Sequence, residues 1–452
     1  MRDSQFFAEH NARHFWHPMA HPAEMLKNPP IVIASAEGVE ITDVNGHKTL
    51  DAVGGLWNVN LGYSCQSIKD AIAEQLAILP YYSSFRGTSN APAVELSHAL
   101  TEWFAEDGLT RAFFTSGGSD SVETALRLSR QYHRIRGELD RTKFISIRQG
   151  YHGTHFGGAS VSGNAKFRRN YEPMLPGCFH IPAPWTYRNP FSEDDPARLA
   201  ELCASLLEEE IRFQSPDTVA AFIMEPVLGS GGVIVPHETF MPMVRDICDK
   251  YGVLLIADEV ITAFGRTGAW TGSRLWGVTP DLACIAKGIS NGFFPFGAAM
   301  ISEKIADAFE SNKDGFGSIG HGYTCSAHPV GAAAALATLA ETQKLNVVDN
   351  AAARGDELLA GCRDLQEQHE IVGDVRGKGL MVCLELVADR QSRQPIANET
   401  METVLRMAYQ EGVMIRVSGN NIILSPSLII TDQHVATIVA AIDAGLDAVA
   451  KA

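Results

Sequence analysis

The chain has no C-x-x-C pair and no cluster of cysteines. Its eight cysteines stand at 65, 178, 203, 248, 284, 325, 362 and 383, several inside apolar runs. That scatter favours buried, reduced thiols over a disulfide framework or metal ligands. Positive charge is also scarce. Thirty-seven lysines and arginines face 53 aspartates and glutamates, a formal net charge of −16, and such a field repels phosphodiester backbones, so no nucleic acid is expected as a partner. The start, MRDSQFFAEHNARHFWHP, lacks the cationic and then apolar regions of a secretory leader. Long hydrophobic runs are missing as well: the longest weakly polar stretch, Val330 to Ala340, is about half of the ~20 residues that cross a bilayer. No membrane is expected, and the chain reads as cytoplasmic. With 452 residues, 45% of them hydrophobic and 20% charged, it is too long for one ordinary core, and two domains are the default.

What the chain does have, from about Gly108 to Pro329, is an alternation of short β-branched or aromatic runs with longer helical patterns. That is the mark of a parallel sheet with crossover helices. The strands read as RAFFT (111–115), TKFISI, VAAFIM, VLLIAD and LACIA, followed by the turn-rich FPFGAAMIS. They are near-continuously apolar, as strands covered on both faces should be. After Pro329 come a helix, AAAALATLAETQ, a strand, GLMVCLELV, a helix, ETMETVLRMAYQEG, strands VMIRV and NIILSP, and a last helix starting at Thr431 or Asp432. Near the N-terminus VEITDVNGHKTLDAV reads as a hairpin in which Asn45-Gly46 predicts a type I′ turn. It is expected to join the C-terminal part or a second subunit. The expected division is residues 1–60, 61–329 and 330–452.

Three strands of the large part end in residues that a bland sheet would not choose. In open α/β sheets ligands bind outside the carboxyl ends of the strands. There stand Glu225 after VAAFIM, Asp258 and Glu259 after VLLIA, and Lys287-Gly288 after LACIA. Burial disfavours an ammonium, which makes such a lysine the nucleophile for a Schiff base with an aldehyde, and the glycine after it leaves room for a flat ring. A lysine that snorkels out at a sheet edge fits the same spacing. Asp258 suits the protonated pyridine nitrogen of pyridoxal 5′-phosphate (PLP), whose ring then acts as an electron sink; a plain salt bridge between Asp258 and Lys287 is the competing reading. Glu259 is expected to point to the opposite face.

Ser116-Gly117-Gly118-Ser119 joins a strand to the helix DSVETALRLSRQYH, in which Asp120 and Glu123 have capping-box spacing. This turn matches neither the dinucleotide nor the P-loop signature, yet it offers backbone N–H groups and a helix N-terminus to a phosphate. The same two readings, phosphate contact or mere turn, hold for GSGG at 229–232. Tyr151, in Tyr151-His152-Gly153, is placed to stack on a pyridine face. His152 and His155 lack further ligands at metal-site spacing, so no metal is expected.

With these residues collected, the sequence resembles the class III aminotransferases, PLP enzymes of fold type I that include ω-amino-acid:pyruvate and ornithine aminotransferases. VGGLWNVNLGY, FFTSGGSDSVETALRL, YHG, MEPVLGSGGVIVP, LLIADEVITAFGRTG, IAKGISNGFFPFGA, HGYTCSAHPVGAAAALATL, VRGKGLM and MIRVSGNNIILSPSL carry the likeness in family order from about residue 50 to 428. The resemblance implies an α/β fold whose large domain has a mostly parallel seven-stranded sheet, with a smaller α/β domain beside it. It implies Lys287 as the Schiff-base lysine and proton carrier, Asp258 on the pyridinium nitrogen, and Val260 and Tyr151 on the two ring faces. Gly118 and Ser119 would take the phosphate, helped by Thr324 from the second subunit of a homodimer, and Glu225 would lie near the phenolic side. SGGSDS stands where family members commonly have SGSEA; Gly118-Ser119 is retained, so the phosphate contacts are expected to survive. Arg416, in MIRVSG, would clamp a keto-acid carboxylate. Trp57, with Tyr151 and Phe85, would wall an apolar amine pocket, although Phe85 fits interface packing better, and Arg266 is expected to tie a loop.

The resulting expectation is a homodimer, alone or paired into tetramers, that runs a ping-pong transamination from an amine donor to a keto acid, pyruvate first. An aminomutase or a dialkylglycine-type decarboxylase would use the same scaffold, and a PLP-binding regulator would keep the fold without the reaction.

Overall fold

The computed structural model describes residues 4–313 and 315–450. A seven-stranded sheet runs in the order Leu109–Thr115, Gly297–Ser302, Leu282–Ile285, Leu254–Asp258, Val219–Met224, Lys143–Ile147, Cys178–Ile181. Every neighbouring pair is parallel except those made by Gly297–Ser302, which is antiparallel to both strands beside it. The mostly parallel α/β sheet is thus the one the sequence implies. FPFGAAMIS ends in a full strand, and the edge strand Cys178–Ile181, CFHI with only Ile181 buried, lacks the continuous apolar run that marks the covered strands.

Alternate residues of the central strands serve different cores. Leu254 and Ile256 share one with Val122, Ala125 and Leu126 of helix Gly118–Ile135. Leu255 and Ala257 share another with Leu199, Leu207 and Val244 of helices Pro196–Phe213 and Phe240–Tyr251. A period of two then brings Asp258 to the side of helix Gly118–Ile135 and turns Glu259 away from it.

A second sheet holds Val372–Gly377, Val382–Asp389, Asn421–Leu424 and Arg416–Ser418 in that order, with Gln394–Pro395 alongside Val382–Asp389. Its core is filled from helices Val347–Gln368, Asn398–Gln410 and Asp432–Ala450. In the third sheet Ile33–Glu37, Glu40–Asp43 and Lys48–Asp51 are joined by Val413–Met414. The run VMIRV is therefore two strands in two sheets, and the change falls at the buried Ile415. Backbone bonds from Leu50 N–H to Gly412 O (2.8 Å) and from Ala52 N–H to Met414 O (3.0 Å) hold the seam.

The hairpin turn differs from the type I′ expectation. Of Asn45 and Gly46 only Gly46 is left-handed, at φ 86°, whereas that turn needs positive φ at both. Asp43 explains the change: its Oδ1 accepts from the N–H groups of Asn45 (2.8 Å) and His47 (2.9 Å), an Asx arrangement that favours a three-residue loop. Helix Pro329–Lys344 is apolar on two sides, with Ala334 in the core of the second sheet and Ala332, Ala335 and Leu339 in the core beneath Leu109–Thr115. All eight cysteines are unpaired, and among the described residues no helix is long and apolar enough to cross a membrane.

Candidate active site

A cavity of about 380 Å³ opens at the carboxyl ends of the parallel strands. Gly118, Ser119, Tyr151, Glu225, Asp258, Val260 and Lys287 all line it, so residues spread over 170 positions of sequence meet in one place.

Lys287 follows a strand that is third in the sheet order, not an edge strand. It opens the short turn Lys287–Ser290 with φ 50°, a left-handed conformation that costs a side-chain-bearing residue about 1 kcal/mol or more. Burial is the main influence on its amine and lowers the pKa; Asp258 and Glu225 pull it back up, and Arg416 pushes it further down. The competing salt bridge is not formed. Asp258 instead accepts from His152 Nδ1 at 2.8 Å on Oδ2 and from Val260 N–H at 3.2 Å on Oδ1. Gly288 has a second reason besides the one its position suggests. A Cβ there would fall 2.5 Å from Asn60 Nδ2, so the close approach of the segment after Trp57 also favours glycine.

His152 is the residue that reading the sequence missed. A carboxylate can only accept, so Nδ1 carries the proton toward Asp258. The other nitrogen, Nε2, is buried with no protein partner. His155 also pairs with a carboxylate, Asp120 Oδ1, at 2.7 Å. Glu259 lies away from the cavity, where its two oxygens accept from Thr262, Gly272 and Ser273.

Glu225 is 4% exposed and bridges two loops, accepting from Tyr151 N–H and from Gly229 N–H, both at 2.9 Å. Burial pushes its pKa up to about 7; His152 lowers it and Asp258 raises it. An unfolded glutamate titrates near 4.5, so the folded chain holds its proton longer, and stability falls as pH rises from about 4.5 through about 7. Glu225→Gln removes that dependence. In thermal melts of the cofactor-free protein, the variant is expected to gain on the wild type from pH 5 to about pH 7 and to level off above it; parallel curves would refute the assignment.

The phosphate-type turn starts its helix earlier than the sequence suggests. Helix Gly118–Ile135 has Gly117 as its cap and no side chain on its first N–H groups. Asp120, at the third helical position, reaches back to Ser116 N–H at 3.1 Å, so the expected Asp120/Glu123 capping box does not form. The uncapped first turn leaves N–H groups and a dipole end for an anion. Gly118 is needed because a Cβ would stand 2.9 Å from Val260 Cγ1. GSGG at 229–232, by contrast, is a turn: its glycines meet Glu225 and Arg376.

Three expected site residues stand outside the cavity lining. Trp57, 1% exposed, sits in a cluster with Val227, Met381, Ile423 and the wall residue Ile261. It packs directly behind the lining, against Ile261. Thr324 is exposed, and its backbone oxygen accepts from Tyr81 OH at 2.8 Å. Arg416 lies on strand Arg416–Ser418, where its charge bears on both Tyr151 and Lys287; burial lowers its pKa. Phe85, 53% exposed, borders a separate cavity with Phe113 and His321. Arg266 is fully buried and ties three segments through Leu380 O, Pro426 O and Asn60 Oδ1. Among the described residues no charged partner lies within bonding distance, and burial lowers its pKa to about 9.

The donor set fits PLP: an uncapped helix end for the phosphate, a buried carboxylate held by histidine for the ring nitrogen, and a lysine with lowered pKa for the aldehyde. Known proteins agree. The family model described as Aminotransferase class-III matches residues 22–446. A putrescine–pyruvate aminotransferase of Pseudomonas aeruginosa is 36% identical over 405 residues, 89% of this chain and 88% of that protein. A taurine–pyruvate aminotransferase of Bilophila wadsworthia is 34% identical over 449 residues, 95% of this chain and 94% of that one. An amine transaminase from an uncultivated Pseudomonas species, solved in its PLP-bound internal aldimine form, superposes with a TM-score of 0.95 at 46% identity and covers 96% of this chain and 98% of its own. Likeness of that extent, over a site whose groups suit the same cofactor, makes the chain a member of the class-III aminotransferase family and a PLP-dependent enzyme.

Proposed function

We propose that the chain moves an amino group from a primary amine or ω-amino acid to a small keto acid, pyruvate first, in two half-reactions at one site. Arg416 carries this reading. It is half-buried, forms no hydrogen bond or ion pair among the described residues, and bears on Lys287 and Tyr151. A guanidinium in that state wants an anion, and the planar carboxylate of a keto acid matches its fork. The pyruvate-dependent relatives support the same acceptor.

PLP, when bound, supplies an electron sink for the pair left as the donor's C–H bond breaks. Lys287 holds the proton at Nζ and returns it, first in one half-reaction and then in the other. Asp258, oriented by His152, would face the ring nitrogen, and Val260 and Tyr151 would stand against the ring. The N–H groups of Gly118 and Ser119 hold the phosphate. Thr324, exposed on one chain, completes the phosphate site of a second copy, so the working unit is a homodimer. Glu225 fixes Tyr151 from the backbone side. The enzyme works in the cytoplasm on small molecules.

Mixing the PLP-loaded enzyme with a diamine or arylalkylamine, and no keto acid, is expected to release carbonyl product equal to the number of sites. Pyruvate added afterwards releases the same amount of alanine. Rearranged amine formed without any acceptor would overturn the proposal and point to an aminomutase. Arg416→Ala should raise the KM for pyruvate about 10- to 100-fold, as loss of a charge-assisted bidentate pair implies. The half-reaction of a carboxylate-free amine should stay within about threefold, because that donor has nothing for the guanidinium to hold.

A further inference from the structure

GSGG and VRGKGLM meet at one side chain, Arg376, on strand Val372–Gly377 and only 10% exposed. Nε donates to Gly232 O at 2.7 Å and Nη2 to Asn421 Oδ1 at 2.9 Å. Nη1 donates to Asp374 Oδ2 at 2.6 Å and to Glu385 Oε2 at 3.0 Å. The guanidinium also lies over the Trp185 ring, 4.8 Å from its centroid. Glu385, itself fully buried, pairs in turn with Arg188 at 2.5 Å. Asp374, Glu385 and Asn421 belong to the second sheet, whereas Gly232, Trp185 and Arg188 belong to the chain around the seven-stranded sheet. Two cations and two carboxylates, Arg188 and Asp374 partly exposed, thus form a neutral knot across the two. Such knots often add little net stability over apolar packing, while breaking one by removing a partner is costly.

Both ends of the knot lead into the active site. The hairpin bearing Gly232 is closed by reciprocal backbone bonds between Leu228 and Ile234, and its Gly229 N–H donates to Glu225, which also holds Tyr151 N–H. On the other side Asn421 starts the strand paired with Arg416–Ser418, with Ser418 opposite Asn421 and Arg416 opposite Ile423. Gly232 is left-handed at φ 109°, and a Cβ there would fall 2.7 Å from Arg376 Nη2. The glycine is what lets its carbonyl meet the guanidinium.

We propose that Arg376 is a positioning residue for the keto-acid half-reaction. By joining Gly232 to Asn421, it sets the strand bearing Arg416 against the wall bearing Tyr151 and Glu225. The inference rests on Arg416 as the carboxylate clamp. A clamp displaced by about 1 Å loses much of its effect, and losses up to about 10²-fold are on record for such shifts.

The test uses the PLP-loaded full chain with Arg376→Lys, Gly232→Ala, Arg416→Ala and the double variant R376K/R416A, each checked by thermal melting. Lysine keeps the charge balance but cannot span Gly232, Asn421 and Asp374 together. Gly232→Ala serves as the independent variant if Arg376→Lys folds poorly. Stopped-flow absorbance follows each half-reaction separately. The apparent affinity for pyruvate is expected to fall about tenfold in Arg376→Lys and in Gly232→Ala, with a carboxylate-free arylalkylamine reacting within about twofold of wild type. The double variant should be no worse than Arg416→Ala alone, because both changes act through one clamp. Equal loss in both half-reactions, unchanged pyruvate affinity in the folded variants, or additive losses would each overturn the proposal. If Arg416→Ala weakens pyruvate and Arg376→Lys does not, this inference alone falls. If Arg416→Ala leaves pyruvate untouched, the clamp reading falls and takes the inference with it.

Discussion

Replacing Lys287 with alanine is expected to lower kcat by at least about 10³-fold, since the change removes both a nucleophile and a positioned acid–base group. The fold should tolerate it. Alanine carries the same Cβ into the φ 50° conformation, so the backbone strain is unchanged, and no hydrogen bond or ion pair is lost. Single-turnover absorbance is the decisive measurement: bound cofactor should remain visible while its exchange with amines disappears, and an added small amine should restore part of the rate. A variant retaining a tenth of wild-type kcat would remove Lys287 from the chemistry. The pH behaviour has a definite sign. Burial lowers the lysine pKa, so its free-base form persists to lower pH than that of an exposed lysine. Capture of PLP by the cofactor-free protein should therefore weaken with falling pH only below the usual lysine range.

Asp258→Asn is expected to lower kcat about 10²- to 10³-fold, the scale seen when one preorganised electrostatic group is lost. Asparagine can still accept from Val260 N–H, so the loop keeps its shape. What disappears is the negative charge that favours a protonated ring nitrogen, and with it the electron sink. His152→Gln gives the control: it leaves the carboxylate but loosens its hold, and should cost about tenfold, in line with changes to supporting partners. Both effects can be read from kcat together with the absorbance maximum of the bound cofactor. An Asp258→Asn enzyme within tenfold of wild type would exclude the proposed pairing.

The site was legible where a covered strand ends. VAAFIM, VLLIA and LACIA are apolar because helices cover both faces, so Glu225, Asp258 and Lys287 stand out as the first residues free of that demand. Period two also separated Asp258 from Glu259. His152 was not legible, because its partner lies 106 residues away and nothing local marks which carboxylate it will meet. The packing of Trp57 was not legible either, since its pocket role came from the family resemblance alone. Its actual place depends on Met381 and Ile423, contributed from far along the chain. GSGG stayed open between turn and phosphate contact for a similar reason: a glycine needed for close approach to Arg376 looks identical in sequence to one needed for a phosphate. The type I′ turn failed for a local reason, since Asp43 competes for the same backbone groups as the turn.

Ile415 separates two strands by a single residue, so the arginine of the substrate side begins where the N-terminal sheet ends. Trimming the chain before about residue 52 would therefore do more than shorten it. Val413 and Met414 would lose their parallel partners Leu50 and Asp51 and become a bare strand edge one step from Arg416. Exposed edges of that kind recruit other chains, so such truncations are expected to appear as aggregates with damaged keto-acid selectivity, and tags or fusions are safer placed ahead of the intact N-terminal sheet than spliced into it.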